Sequence, residues 1–159
     1  MSAEIKILIT KIRNELDDVE QAVNRTDEIY QKAIASNDAA YFDALALNLH
    51  GFYMGVEHIF EDIARTVEKH VPSDEKWHRE LLQQMSLEIS SIRPSVIQKK
   101  TGLCLDEYLR FRHVVRHGYT FNLRSDRVEA LGRDLRDCFT AVSQDLNNFI
   151  QFLHQLTNE

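Results

Sequence analysis

Between positions 108 and 119 the chain reads Tyr-Leu-Arg-Phe-Arg-His-Val-Val-Arg-His-Gly-Tyr, three arginines, two histidines and two tyrosines in twelve residues. Arginine carries a permanent planar cation whose donors match phosphate oxygens, and histidine exchanges protons near neutral pH. Together they cover what transesterification of RNA requires: a base for the ribose 2′-hydroxyl, an acid for the leaving oxygen, and a cation facing the charge that builds on phosphorus. The groups that could do this include Arg112 and His117, with His113 and Arg116 beside them.

The spacing restricts how these groups can meet. At about 100° per residue, Arg112, Arg116 and Tyr119 fall within about 60° of one another on an ideal helix, whereas His117 falls about 140° from Arg112. A regular helix therefore cannot aim both at one phosphate. Either the helix unwinds at Gly118 and His117 swings round, or two subunits meet and each completes the other's site, and both can operate together. The plain alternative is a charged helix end on the surface. His113 and His117 have the i, i+4 spacing of a metal pair, but no glutamate follows the first histidine and no third ligand is evident, so no metal or cofactor is expected. Glu75-Lys-Trp-His78 has the spacing of one di-iron ligand pair. Such a bundle needs two, so helix-start acids and a solvated histidine are expected instead.

Charge supports a local anion site. The net charge of −6 argues against broad nucleic-acid binding, yet residues 110–136 hold seven arginines against three acids, a local +4. Solvated helix arginines are the competing explanation. Cys104 and Cys138 lie 34 positions apart without close partners; they read as reduced, buried cytosolic thiols. The first eighteen residues carry Glu4 and Glu15 and lack the order of a signal peptide, and no apolar run approaches the roughly 20 residues of a membrane span. A cytoplasmic location is expected.

Five glycines and two prolines in 159 residues leave little material for the turns of a β fold. Apolar residues recur at three-and-four spacing from Ile5 to Ile34, which predicts a long helix ended by Ser36-Asn37-Asp38. A second helix is predicted from about Ala39 to Val71, closed by Pro72. A shorter helix follows, opened by Ser73 and running through Trp77 to Ile89, then a loop from Ser90 to Gly102. The motif helix should span Leu103 to His117, with Gly118 as its C-terminal glycine. After a connection from Tyr119 to Ser125, a last helix repeats from Val128 to Leu156. Residues 1–159 thus read as a single all-α domain, an antiparallel bundle of four to five helices. Trp77, Phe60 and Tyr53 read as packing residues rather than platforms for bases. Glu57, within an apolar stretch, reads either as a group that positions the motif or as a partly exposed glutamate.

The order arginine, a polar residue, three further positions, histidine, one residue, tyrosine, carried by Arg112, His113, His117 and Tyr119, resembles the signature of the HEPN superfamily. With its tyrosine it resembles the HepT type of ribonuclease toxin. The stretch Leu-His-Gly-Phe-Tyr-Met-Gly-Val-Glu57 and the helix order are similar to that family over most of the chain. The resemblance implies a HEPN-like bundle forming a two-fold homodimer, a metal-independent endoribonuclease acting on tRNA or mRNA. It makes Arg112 and His117 the catalytic pair, and His113 the accessory polar residue. Tyr119 would be the position to which a cognate MntA-like nucleotidyltransferase antitoxin adds AMP, placing charge and bulk in the RNA cleft. The alternative is a noncatalytic helical module that binds a nucleotidyltransferase partner or a nucleotide.

Overall fold

A computed structural model describes residues 2–119 and 123–158, with Ser2 described by its backbone only. Five α-helices follow one another: α1 (Ser2–Ser36), α2 (Ala39–Ile63), α3 (Trp77–Met85), α4 (Lys99–His117) and α5 (Ser125–Thr157). No strand occurs among the described residues, so the all-α reading holds. The predicted connection from Tyr119 to Ser125 lies partly outside the described residues.

The apolar stripes read from the sequence form the core. Leu8, Ile12, Val19 and Val23 of α1, Leu45, Leu49, Phe52, Val56 and Ile59 of α2, and Leu131, Leu135, Val142 and Leu146 of α5 are all buried. Burying each such side chain stabilises the fold by about 1.5–3 kcal/mol. The two-residue link at Asn37-Asp38 turns α2 back along α1, and Asp38 caps α2 by accepting from the Ala40 N–H at 2.9 Å. Two glycines let the long helices close up. A Cβ on Gly55 would lie 2.8 Å from Val19 Cγ2, and one on Gly132 would lie 2.8 Å from Tyr30 Cδ2.

Several helix bounds differ from the expected ones, and at the end of α2 and the start of α4 the difference goes with a contact distant in sequence. The α-helical part of α2 stops at Ile63, and Ala64–Glu68 forms a π turn that ends at Lys69 with φ 56°. Glu68, from that turn, meets Arg93 through both carboxylate oxygens at 2.8 Å, and Arg93 also donates to the carbonyls of Leu87, Pro94 and Gln84. α3 begins at Trp77 and ends at Met85; Asp74, not Ser73, accepts the Lys76 N–H at its start. α4 starts at Lys99 rather than Leu103 because Asp145 of α5 supplies its cap, accepting from the Gln98 N–H at 3.0 Å and the Thr101 hydroxyl at 2.6 Å. α4 ends at His117 with Gly118 as its C-cap, as expected, and the glycine is extended at φ −130°, ψ 169° rather than left-handed.

The cysteine reading is also overturned. Cys104 of α4 and Cys138 of α5 form a disulfide across 5.9 Å between their Cα atoms. The two helices lie side by side, which a separation of 34 residues does not reveal.

Candidate active site

α4 buries Leu105, Tyr108 and Leu109, and the next position on that stripe is Arg112, only 8 % exposed. A guanidinium thus occupies a place where helical periodicity calls for an apolar side chain. Its Nε is buried and, among the described residues, has no hydrogen-bond partner. The other arginines of the basic stretch behave differently. Arg110 pairs with Asp106, Arg124 with Asp126, Arg127 with Glu107, Arg133 with Asp134 and Arg136 with Asp27. Among the described residues, no acid pairs with Arg112 or Arg116, the two arginines inside the motif.

Arg112 and His113 line one cleft of about 360 Å³ between α4 and the start of α3, whose other wall includes Glu75, Lys76, His78 and Arg79. His113 stacks on His117 one turn further along, with ring centroids 4.5 Å apart. His117 itself is exposed and lies outside the lining of the Arg112 cleft, so the structure places His113 in the cleft with Arg112 and links His117 to it only through the ring contact with His113. Tyr119, two residues on and past the end of α4, is 72 % exposed.

The sequence profile of the family described as HepT-like protein matches residues 44–153. The chain belongs to the HepT-like family, within the HEPN superfamily. No curated protein and no solved structure matches it. The matched span of this HepT-like chain includes the whole motif together with His50, Glu57 and His78, and leaves all of α1 outside.

Three groups next to the HepT-like motif escaped the sequence reading or were misread. His50 on α2 is half-buried, and its pKa is held below the ordinary 6.5 by burial first, then by the Arg112 and Arg116 cations. Its only sequence signal was its place in the Leu-His-Gly-Phe stretch. Glu57 is 4 % exposed, neither of its oxygens free: both accept from Nδ1 of His78, at 2.9 and 2.8 Å. His78 is therefore paired rather than solvated, and the Trp77 ring stacks on it at 3.6 Å. Glu57 and His78 come together only through the packing of α3 on α2, which spacing along the chain does not encode. Tyr53 lies in the core at 1 % exposure, its hydroxyl pushed to a higher pKa by burial first and by Glu57 next. Phe60 is likewise core, as read.

Among the described residues no group of three or more metal-ligating side chains is assembled, and no helix is long and apolar enough to cross a membrane.

Proposed function

We propose that the chain is a metal-independent endoribonuclease toxin that cuts tRNA or mRNA by transesterification. Family membership carries the general class, a HEPN-type toxin. The observation that supports the chemistry best is the buried Arg112 guanidinium, with an orphaned Nε, in a cleft shared with an imidazole. A buried cation without a counterion is costly unless an anion completes it, and a scissile phosphate is such an anion. Arg112 holds that phosphate and Arg116 adds positive potential at the cleft edge. His117 moves a proton and His113 supports it through the stack. No cofactor takes part.

Tyr119 stands two residues past His117 and is the position for AMP addition by a cognate MntA-like nucleotidyltransferase antitoxin. The added phosphate would compete for the cations that RNA needs. A two-fold homodimer formed partly by α4 would let one subunit's His117 serve its partner's Arg112, which answers the roughly 140° offset on an ideal helix.

The test incubates purified protein with labelled tRNA and mRNA in chelator, beside Arg112→Ala and His117→Ala. Cutting by the wild type alone supports the nuclease. Equal cutting by all three, or none by unmodified wild type, supports a noncatalytic module that binds a nucleotidyltransferase or a nucleotide. Intact mass after coexpression with the neighbouring gene's product, with an AMP increment mapped to Tyr119, tests the switch. Light scattering that gives only a monomer at micromolar concentration would rule out the dimer.

A further inference from the structure

Opposite Arg112, across the same cleft, stands a histidine built like a general base. His78 lines the cleft with Arg112 and His113. Its Nδ1 is held by both oxygens of Glu57, whose side chain is 6 % exposed against 21 % for His78. A carboxylate on Nδ1 fixes the tautomer: Nδ1 carries the proton, and Nε2 keeps its lone pair as the nitrogen left to meet a ligand. Trp77 stacked at 3.6 Å restricts the ring further. A buried acid orienting an imidazole that borders a cleft is the arrangement general-base catalysis uses, and here the cleft already contains the Arg112 guanidinium, whose Nε has no hydrogen-bond partner among the described residues.

We infer that His78 is a further catalytic residue, the base that takes the ribose 2′-hydroxyl proton, and that Glu57 is its positioning residue. The inference rests on the nuclease reading. His78 Nε2 accepts the 2′-O–H proton while the 2′-oxygen bonds to phosphorus. The P–O5′ bond breaks, and the leaving 5′-oxygen takes a proton from the imidazolium of the His113–His117 stack. The products are a 2′,3′-cyclic phosphate and a 5′-hydroxyl. Water then carries the proton from His78 back to the stack. Two histidine sites thus divide base and acid duties, and Arg112 between them holds the phosphate. The charged and titratable groups around His78 are Glu57 from α2, Glu75, Lys76 and Arg79 around the start of α3, and Arg110, Arg112 and His113 from α4.

The experiment measures kcat against pH for RNA cleavage in chelator, for wild type, His78→Asn, Glu57→Gln and Arg112→Ala, with circular dichroism melts of each. The inference expects His78→Asn to lose about 10²–10⁴-fold in kcat and to lack one limb of the wild-type pH profile. Glu57→Gln should fall between the two and displace that same limb. Cleavage by His78→Asn at the wild-type rate, or slower with an unchanged profile, overturns the assignment while leaving the Arg112 reading intact. No cleavage by wild type, or equal cleavage by Arg112→Ala, overturns both. Should His78→Asn not fold, the wild type answers alone. An RNA carrying a single 2′-deoxy nucleotide at the cut position binds without reacting, and on binding it should shift the His78 ring resonances. Binding that leaves those resonances unmoved defeats the inference.

Discussion

The His113 ring lies against the His117 ring with centroids 4.5 Å apart, one helical turn joining the cleft that holds Arg112 to the exposed end of α4. That stack makes the two histidines unequal. His113 is the one that borders Arg112, and His117 is the one at the helix terminus beside Tyr119. If His117 carries the proton, His117→Ala should lower RNA cleavage about 10²–10⁴-fold. His113→Ala, which removes only the support, should cost about tenfold. Gel assays of single-turnover cleavage check the order, and a larger loss at His113 would move the proton-transfer role to it.

His50 offers a readout of the Arg112 charge without any substrate. Its pKa is lowered by burial and then by Arg112 and Arg116, so the neutral ring is the favoured form in the fold. In Arg112→Ala one of those cations is gone, and the His50 titration followed by NMR should move upward toward 6.5. The sign for stability follows. The unfolded chain binds this proton more readily than the fold, so His50 costs stability as pH falls through and below about 6.5, the ordinary histidine value, and the cost vanishes at higher pH. Denaturation of Arg112→Ala at descending pH should show a smaller loss than wild type over that window. An unchanged His50 titration would mean that the guanidinium does not face it.

The motif was legible because its chemistry is concentrated in twelve consecutive residues, and the long helices were legible because their apolar periodicity runs unbroken over many turns. What escaped was contributed by partners distant in sequence. Asp145 starts α4 from 47 residues away from Gln98, and Glu57 meets His78 across 21 residues. One clue was present and unused: Arg112 continues the apolar stripe of Leu105, Tyr108 and Leu109, so its burial could have been read from the helical period alone.

The Cys104–Cys138 disulfide fastens the motif helix to α5 in a loop of 34 residues. Closing a loop of that length in the unfolded chain stabilises the fold by about 3–4 kcal/mol on the chain-entropy account. Urea denaturation with and without a thiol reductant should show a loss of that order, and Cys138→Ser should show the same loss with no further response to reductant. Because the hydroxyl of Tyr108 also ties α4 to α5, donating to the Leu131 carbonyl at 2.8 Å, the reduced protein should keep its helical circular dichroism. A midpoint indifferent to reductant would show that the two thiols are not joined in solution.

Arg93 and Glu68 stand apart from the motif and test the clasp that ends α2. The Arg93 side chain is fully buried and the Glu68 side chain 4 % exposed, and every guanidinium nitrogen of Arg93 has an acceptor. Gln84 Nε2 donates to Glu68 Oε1 at 2.9 Å, so the carboxylate is equally well held. Removing one member strands the other charge in the interior, and Arg93→Ala should therefore cost about 3–5 kcal/mol. Arg93→Lys should recover little, since an ammonium cannot reproduce the two-pronged contact or reach three carbonyls at once. The double variant Arg93→Met, Glu68→Leu removes both charges together and should be less damaging than Arg93→Ala, because no unpaired ion is left behind. Chemical denaturation of the three variants decides it: a double variant at least as unstable as Arg93→Ala would show that the pair contributes through its net attraction rather than through the penalty of an orphaned charge.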